Sequence, residues 1–151
     1  MATHVKIRRL EPRDADRWRE LFDGYLAFYE VVLAQAVIAH TWERLLSGAE
    51  GAHIGLVAVD DADRPIGLAH VLFHASTWSA SATGYCYLED LYVDPATRAK
   101  GVGRALIDAT YAEADVRGAT RVYWTTHETN YRARRLYDQV GTRPGFIRYQ
   151  R

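Results

Sequence analysis

An apolar strand, a turn with two glycines and an amphipathic helix follow one another without interruption in the second half of the chain. The strand covers residues 86–93, where aliphatic and aromatic side chains dominate. The helix covers residues 101–117 and ends before Gly118, a residue type typical of the position after a helix C-terminus. Because a helix that directly follows a strand buries its apolar side on a sheet, this segment predicts an α/β fold.

The turn itself has the composition of an anion-binding site. The N–H groups of a first helical turn have no partner within the helix, and glycine at positions 101 and 103 leaves them uncovered. A dinucleotide fingerprint is excluded because Leu106 stands where its third glycine belongs, and the Gly-Lys-Ser/Thr of a P-loop is missing. The alternative to an anion-binding site is that the two glycines only permit a tight turn and that the neighbouring cations are solvated. The cations that can contact a phosphate are Arg98, Lys100 and Arg104.

The rest of the chain alternates between strand and helix patterns. Apolar residues recur every three or four positions in a first helix that starts near Pro12 and ends at about residue 30. The resulting order predicts one mixed sheet rather than a regular doubly wound one. Further strands are predicted at residues 5–10, 53–59, 66–73, 121–126 and 146–150, and further helices at residues 37–46 and 130–140.

Composition limits the classes of function. With 151 residues, 48% of them hydrophobic, the chain predicts a single domain over residues 1–151. The 19 cationic and 19 anionic residues cancel, so we expect no nucleic-acid or membrane partner. The single cysteine, Cys86, excludes a disulfide framework, and no apolar run approaches the roughly 20 residues that span a bilayer. A cytoplasmic location is therefore expected.

The histidines do not have the spacing of a metal site. His70 and His74 fall on one predicted strand, where a separation of four residues places them roughly 13 Å apart. That distance is too long for one ion, and we expect no metal.

Three motifs resemble those of the GNAT superfamily of N-acetyltransferases. Residues 98–103, RAKGVG, match its acetyl-CoA signature. Residues 87–95, YLEDLYVDP, resemble its fourth strand, and residues 130–137, NYRARRLY, resemble its Asn-x-x-Ala-x-x-x-Tyr helix. The Leu-Glu-Asp and Tyr-Trp-x-Thr segments look most similar to the yeast histone-and-other-protein and diamine acetyltransferase subgroups. The resemblance implies an α/β fold with one mixed central sheet flanked by about four helices, and a homodimer.

The resemblance also implies where acetyl-CoA binds. The pyrophosphate is expected on the glycine turn, and a backbone N–H near Leu91 is expected to polarise the acetyl carbonyl. The residues implied in cofactor binding are Leu91, Tyr92, Val93, Arg98, Ala99, Lys100, Gly101, Val102, Gly103, Arg104, Asn130, Ala133 and Tyr137.

Two residues are predicted to move protons. An alkylamine with a pKa of about 10.4 is protonated at neutral pH, so a base is needed, and Glu89 interrupts an apolar strand just before the turn. Strict alternation places Asp90 on the opposite face, together with Leu88 and Tyr92, so only one of the two acids is expected at the site. Tyr137 matches the tyrosine that protonates the leaving thiolate in the family. The alternative role of Glu89 is that of a structural carboxylate hydrogen-bonded across the sheet. The alternative role of Tyr137 is that of a core residue in a helix whose N-cap is Asn130.

The expected reaction is direct transfer to a primary amine in a ternary complex, because Cys86 has the character of a core residue rather than a nucleophile. The acceptor classes left open are a polyamine, an amino acid and a lysine side chain. A non-catalytic acyl-CoA-binding domain is the alternative. Aromatic side chains and one carboxylate suit a cationic acceptor, and the predicted acceptor-binding residues are Tyr25, Tyr29, Glu30 and Trp78. An aromatic stripe at helical spacing also fits a helix core.

Overall fold

A computed structural model of the chain describes residues 5–97 and 101–151. These residues form one five-stranded sheet in the order β1-β2-β3-β4-β5. The strands are β1 (Lys6–Arg9), β2 (Ile54–Val59), β3 (Pro65–His74), β4 (Tyr85–Val93) and β5 (Arg121–Tyr123). The α-helices are α1 (Ala15–Phe28), α2 (Gln35–Ser47), α3 (Val102–Val116) and α4 (Tyr131–Val140), with single-turn 3-10 helices at Pro12–Asp14 and Pro95–Thr97.

The sheet is mixed, as the element order predicts. Strands β1 to β4 pair antiparallel in chain order, and β5 pairs parallel with β4. Four helices flank this sheet in the described part of the chain, which confirms the α/β architecture. None of these helices has both the length and the apolar character needed to cross a membrane.

Each face of the sheet buries its own apolar core. On one face, Leu106 and Ile107 of α3 pack fully buried against strand residues such as Val71, and α4 adds partly buried contacts. On the other face, Trp18 and Phe22 of α1 pack with α2 against the second side of β2 and β3. A site between the layers on the α1 face is therefore walled by helix on one side and strand on the other.

Backbone geometry explains where the first two helices end. Glu30 adopts a left-handed conformation with φ of 56°, so α1 stops close to the expected boundary at residue 30. Gly48, with φ of 63°, occupies the left-handed position after α2.

A bulge interrupts the pairing of β3 with β4. His70 pairs with Asp90 but Val71 pairs with Leu88, which leaves Glu89 as an extra residue on β4. The bulge reverses the alternation of side chains: Leu88 is in the core beneath α3, whereas Asp90 bonds to His70 on the α1 face. The expectation that Leu88 and Asp90 share a face is therefore wrong, because it assumed an uninterrupted strand.

Two strand predictions at the C-terminal side are also wrong. The strand expected at residues 121–126 ends at Tyr123, since β4 provides paired partners only as far as Tyr87, just before the bulge. The strand expected at residues 146–150 does not form, and residues 142–151 lie outside any helix or strand. Gly145, with φ of 90°, turns the backbone away from an extended path immediately before this segment.

An ion-pair network joins β1 to the start of α1. Arg8 donates to both carboxylate oxygens of Asp14, at 2.8 and 2.9 Å, and its Nε donates to Asp63 at 3.0 Å. The Glu11 backbone N–H also donates to Asp14, at 2.8 Å. Burial alone would raise the pKa of Asp14, which is 4% exposed, but the hydrogen bonds from Arg8 and from the Glu11 backbone, together with the charges of Arg8 and Arg13, hold that pKa below 3.8.

Candidate active site

Strands β4 and β5 separate after three paired positions and leave an opening between them. The ladder ends at Tyr87 and Tyr123, and beyond it the two strands border a small pocket with a cavity volume of about 10 Å³. We call this cavity the inner pocket. It is lined by Tyr25, Tyr29, Leu88, Glu89, Leu91, Trp124, Thr125 and Tyr137.

A larger cleft with a cavity volume of about 240 Å³ opens between the sheet and the two N-terminal helices. We call it the outer cleft. Glu89 and Tyr25 line both cavities, so they stand at the boundary between them. The outer cleft is lined by Phe22, Tyr25, Leu26, Leu33, Thr41, Arg44, Leu45, His53, His70, Glu89 and Asp90.

Both acids of the Leu-Glu-Asp segment face the outer cleft. The expectation that only one of Glu89 and Asp90 would do so is wrong, and the reason is the bulge, which inserts Glu89 between two register-paired positions. Their surroundings differ, however. The Glu89 side chain is 41% exposed, whereas that of Asp90 is 15% exposed.

Glu89 is in direct contact with a histidine. Its carboxylate meets His53 Nε2, and the imidazole, which precedes β2, is 27% exposed. A carboxylate and an imidazole in hydrogen-bond contact can pass a proton from one to the other. The sequence pattern does not reveal this partner, because 36 residues separate His53 from Glu89.

Asp90 belongs to a buried hydrogen-bond chain instead. The indole N–H of Trp18 donates to His70 Nε2 at 3.0 Å, and His70 Nδ1 lies 2.7 Å from Asp90. Since an indole can only donate, Nε2 is the acceptor, and the imidazole proton sits on Nδ1, from which it is donated to Asp90. Both ring nitrogens of His70 are therefore engaged, and the imidazole is held in one orientation.

The same chain fixes Tyr25. Burial would raise the pKa of the Asp90 carboxyl, but hydrogen bonds from His70 and Tyr25, together with electrostatic interactions with His70 and His53, lower that pKa below 3.8. Burial, and then the charge of Asp90, raise the pKa of the Tyr25 hydroxyl far above 10.0. Asp90 is thus ionised and Tyr25 protonated across the physiological pH range. The charge of this part of the cleft wall therefore does not change with pH in that range.

Tyr137 lies on α4 and reaches the inner pocket. Its ring contacts Trp124 edge to face, with centroids 5.5 Å apart. Burial, with a smaller contribution from Tyr29, raises the pKa of Tyr137 to about 12. A phenol with that pKa is fully protonated at neutral pH and is a weaker acid than an exposed tyrosine.

The glycine turn leads into α3. Gly101 is the N-cap of α3 with φ of 76°, a conformation that favours glycine, and a side chain at position 101 would meet no atom within 4 Å. A Cβ at Gly103 would come within 3.3 Å of Leu136, so α4 closes in on this turn. Arg98, Ala99 and Lys100 lie outside the described residues.

The remaining predicted site residues are spread around this turn and the sheet. Tyr92 packs on α1, where a Cβ at Gly24 would overlap its hydroxyl, and Leu91 faces the inner pocket. Asn130 holds the N-cap position of α4, as expected, but its side chain accepts no hydrogen bond from the helix, and its amide donates to the Thr126 hydroxyl at 3.0 Å. Val93 and Ala133 are half-buried, Val102 is buried, and Arg104 is exposed with Asp108 at 4.0 Å.

Two predicted acceptor residues line neither cavity. Glu30 is exposed beyond the end of α1. Trp78 is 70% exposed, and the Arg121 guanidinium lies 5.6 Å above its ring. Tyr25 and Tyr29, by contrast, face the inner pocket with ring centroids 5.0 Å apart.

Comparison with known proteins gives a consistent result. The model of the acetyltransferase (GNAT) family matches residues 16–142. The D-amino-acid N-acetyltransferase HPA3 of Saccharomyces cerevisiae is 33% identical over 147 residues, which cover 97% of this chain and 90% of the yeast protein. The thialysine N-epsilon-acetyltransferase of Caenorhabditis elegans is 28% identical over 103 residues, 68% of this chain and 62% of the worm protein.

A solved structure shows the same fold. AAC(6')-Iy, in complex with the bisubstrate analog CoA-S-monomethyl-acetylneamine, superposes with a TM-score of 0.79 at 20% identity. The superposition covers 99% of this chain and 98% of that one.

Proposed function

We propose that this chain transfers the acetyl group of acetyl-CoA directly to a primary amine held in the outer cleft. The chain belongs to the GNAT acetyltransferase family and is an acetyl-CoA-dependent N-acetyltransferase. The observation that carries this proposal is the position of Glu89, which lines both cavities. A base at that boundary can reach an amine in the outer cleft while the acetyl group is presented from the inner pocket.

The described residues fit acetyl-CoA. The opening between β4 and β5 exposes the strand edge of β4 beyond Tyr87, whose backbone groups can bond the amides of the pantetheine arm. The uncovered turn at Gly101 and Gly103 leads into the 15-residue helix α3 and suits a pyrophosphate. When bound, acetyl-CoA supplies the thioester that the amine attacks. Backbone N–H donation from Leu91 to the carbonyl is part of this proposal.

Glu89 takes the ammonium proton and makes the nitrogen nucleophilic. The proton then passes to His53, which is in contact with Glu89 and partly open to water, so the carboxylate is regenerated. The carboxylate of Asp90 is already engaged by His70 and stays ionised, so its role is to hold Tyr25 in place and to attract the cationic acceptor.

Tyr137 donates its hydroxyl proton to the departing sulfur. As the new N–C bond forms and the C–S bond breaks, the electron pair of that bond leaves on sulfur, and the phenol proton neutralises it. The position of Tyr137 in the inner pocket supports this role, and its hydroxyl is protonated at neutral pH before transfer. Cys86 is buried, and burial raises the pKa of its thiol to about 12, which supports direct transfer over an acetylated cysteine.

Initial-velocity kinetics test direct transfer. Double-reciprocal plots at several acceptor concentrations are expected to intersect, because both substrates are bound before either product leaves. Parallel lines would show an acetylated enzyme and refute the proposal. Family membership also favours an enzyme over a non-catalytic acyl-CoA-binding domain.

The acceptor is a polyamine, an amino acid or a lysine side chain. The yeast relative is named for D-amino acids, which favours an amino acid. The aromatic rings of Tyr25 and Tyr29 provide a face for the ammonium group. Contacts of Glu30 and Trp78 with the acceptor stay predictions.

We also propose a homodimer built through the C-terminal segment. Phe146, Ile147 and Tyr149 are 76, 74 and 87% exposed, and β5 is the edge of the sheet. Three exposed large apolar side chains in one short segment support pairing with a second copy. Light scattering is expected to give a dimer for the full chain and a monomer for a double variant with Phe146→Ser and Ile147→Ser. A monomeric full chain would contradict the proposal.

A cytoplasmic location stays a prediction, and its support is the unpaired Cys86.

A further inference from the structure

We infer that the acceptor carries a carboxylate, that is, an amino acid, and that Arg44 is the residue that binds it. This inference rests on the proposed function and narrows its three acceptor classes to one. Arg44 lies on α2 and lines the outer cleft, which Glu89 and Asp90 also line. A cleft with both charges in its wall matches a zwitterion.

The Arg44 side chain is not committed elsewhere among the described residues. Other arginines of the N-terminal region are engaged: Arg8 bonds Asp14, Arg17 bonds Asp94, and Arg19 bonds Asp23. No described carboxylate lies within ion-pair distance of the Arg44 guanidinium, although the side chain borders a cleft that contains two acids. Its five donors remain available to a ligand, in a fork that matches a carboxylate.

Its neighbour on the same helix cannot replace it. Thr41 also lines the cleft, but its hydroxyl donates to the Val37 carbonyl at 3.0 Å. That hydroxyl proton is used within α2, so Thr41 offers a ligand only acceptor lone pairs. In the α2 wall, recognition of an anion therefore falls to Arg44.

The other acceptor classes fit this cleft less well. A polyamine carries further ammonium groups, one of which would approach the Arg44 guanidinium and be repelled. A lysine side chain on a peptide has no carboxylate next to its amine. An amino acid places its ammonium at Glu89 and its carboxylate at Arg44, and it leaves its side chain for the apolar part of the wall, which contains Phe22, Leu26, Leu33 and Leu45.

Matched acceptors test this inference. Leucine, leucinamide and 3-methylbutylamine share a side chain, but only leucine has a carboxylate, and both enantiomers of leucine and leucinamide are used. The ratio of wild-type to variant kcat/KM is taken for each acceptor, because that ratio cancels differences in amine basicity. The variants are Arg44→Gln, Arg44→Lys and, as a control, Arg143→Gln, which removes an exposed arginine that lines neither cavity.

We expect Arg44→Gln to lower kcat/KM for leucine by about 10- to 100-fold, mainly through KM, since a charge-assisted pair to the substrate is lost. Leucinamide and 3-methylbutylamine are expected to change by less than twofold. Arg44→Lys is expected to retain part of the leucine activity, and Arg143→Gln all of it.

An equal loss for all three acceptors, or wild-type turnover of leucinamide or spermidine without turnover of leucine, would overturn the role of Arg44 and leave the proposed function standing. Confirmed binding of acetyl-CoA with no turnover of any amine would overturn both.

Discussion

Replacing Glu89 with glutamine removes the proposed base while keeping the shape of the side chain. General base catalysis contributes about 10²- to 10⁴-fold, or roughly 2.7 to 5.5 kcal/mol at 1.36 kcal/mol per tenfold. Because the Glu89 side chain is 41% exposed and stands at an open boundary, water can take over part of its task. We therefore expect the lower end, about a 10²-fold loss of kcat/KM at pH 7.

The loss is expected to shrink as the pH rises. For an alkylamine with a pKa of about 10.4, the free-base fraction rises from roughly 0.04% at pH 7 to roughly 9% at pH 9.4, about 230-fold. The variant can use only that free base, so its rate should increase about tenfold per pH unit and approach the wild-type rate. The assay is the initial rate of acetyl-CoA-dependent thiol release, measured from pH 7 to 9.5.

Two controls separate chemistry from folding. Glu20→Gln changes an exposed carboxylate on α1 that lines neither cavity, and its rate is expected to match wild type. The Glu89 and His53 pair is partly exposed, so we expect it to contribute less than about 1 kcal/mol to stability. A Glu89→Gln enzyme with wild-type rates at pH 7, or with a deficit that does not change with pH, would refute the assignment of Glu89 as the base.

Three further predictions concern other residues. Tyr137→Phe is expected to lower kcat by about 10²-fold while calorimetry shows acetyl-CoA binding within twofold of wild type; a loss confined to binding would contradict its role as the acid. Asp14→Asn is expected to lower the free energy of unfolding by about 2 to 3 kcal/mol in urea at pH 7. Because folding lowers the pKa of Asp14 below 3.8, this advantage is present above pH 3.8 and is lost as pH falls through the lower folded value, so persistence of the difference in stronger acid would contradict the argument. Cys86 is expected to resist alkylation at pH 8 until the chain unfolds, since burial raises its pKa to about 12, and modification of the native protein would show that this strand opens.

The architecture could be predicted because it depends on patterns within short windows. The apolar strand of residues 86–93, the helix that ends at Gly118 and the spacing of apolar residues in α1 are local signals, and the structure contains all three elements. The absent strand at residues 146–150 shows the limit of such signals. Whether an extended apolar segment joins a sheet depends on a partner edge, and a sequence pattern does not reveal that edge.

The site could be predicted only in part. Glu89 and Tyr137 could be selected from motifs, and the structure places both beside the inner pocket. The bulge at Glu89 could not be foreseen, because it depends on the register between two strands, and it brings Asp90 to the same cleft. His53 and Arg44 come from elements far from the motifs in sequence. Only the fold brings them to the cleft, because α2 packs on β2 and β3 joins β2 to β4 in the sheet.

The central claim is tested most directly by acetyl-CoA-dependent thiol release with amino acids of both hands, spermidine, a lysine-bearing peptide and an aminoglycoside, against a control without acceptor. The buried Cys86 thiol is not expected to react with the thiol reagent in the native protein. We predict saturable, acceptor-dependent release with an amino acid, and an N-acetylated product in the mass spectrum. Release that never exceeds the acceptor-free rate with any of these amines would contradict the proposal.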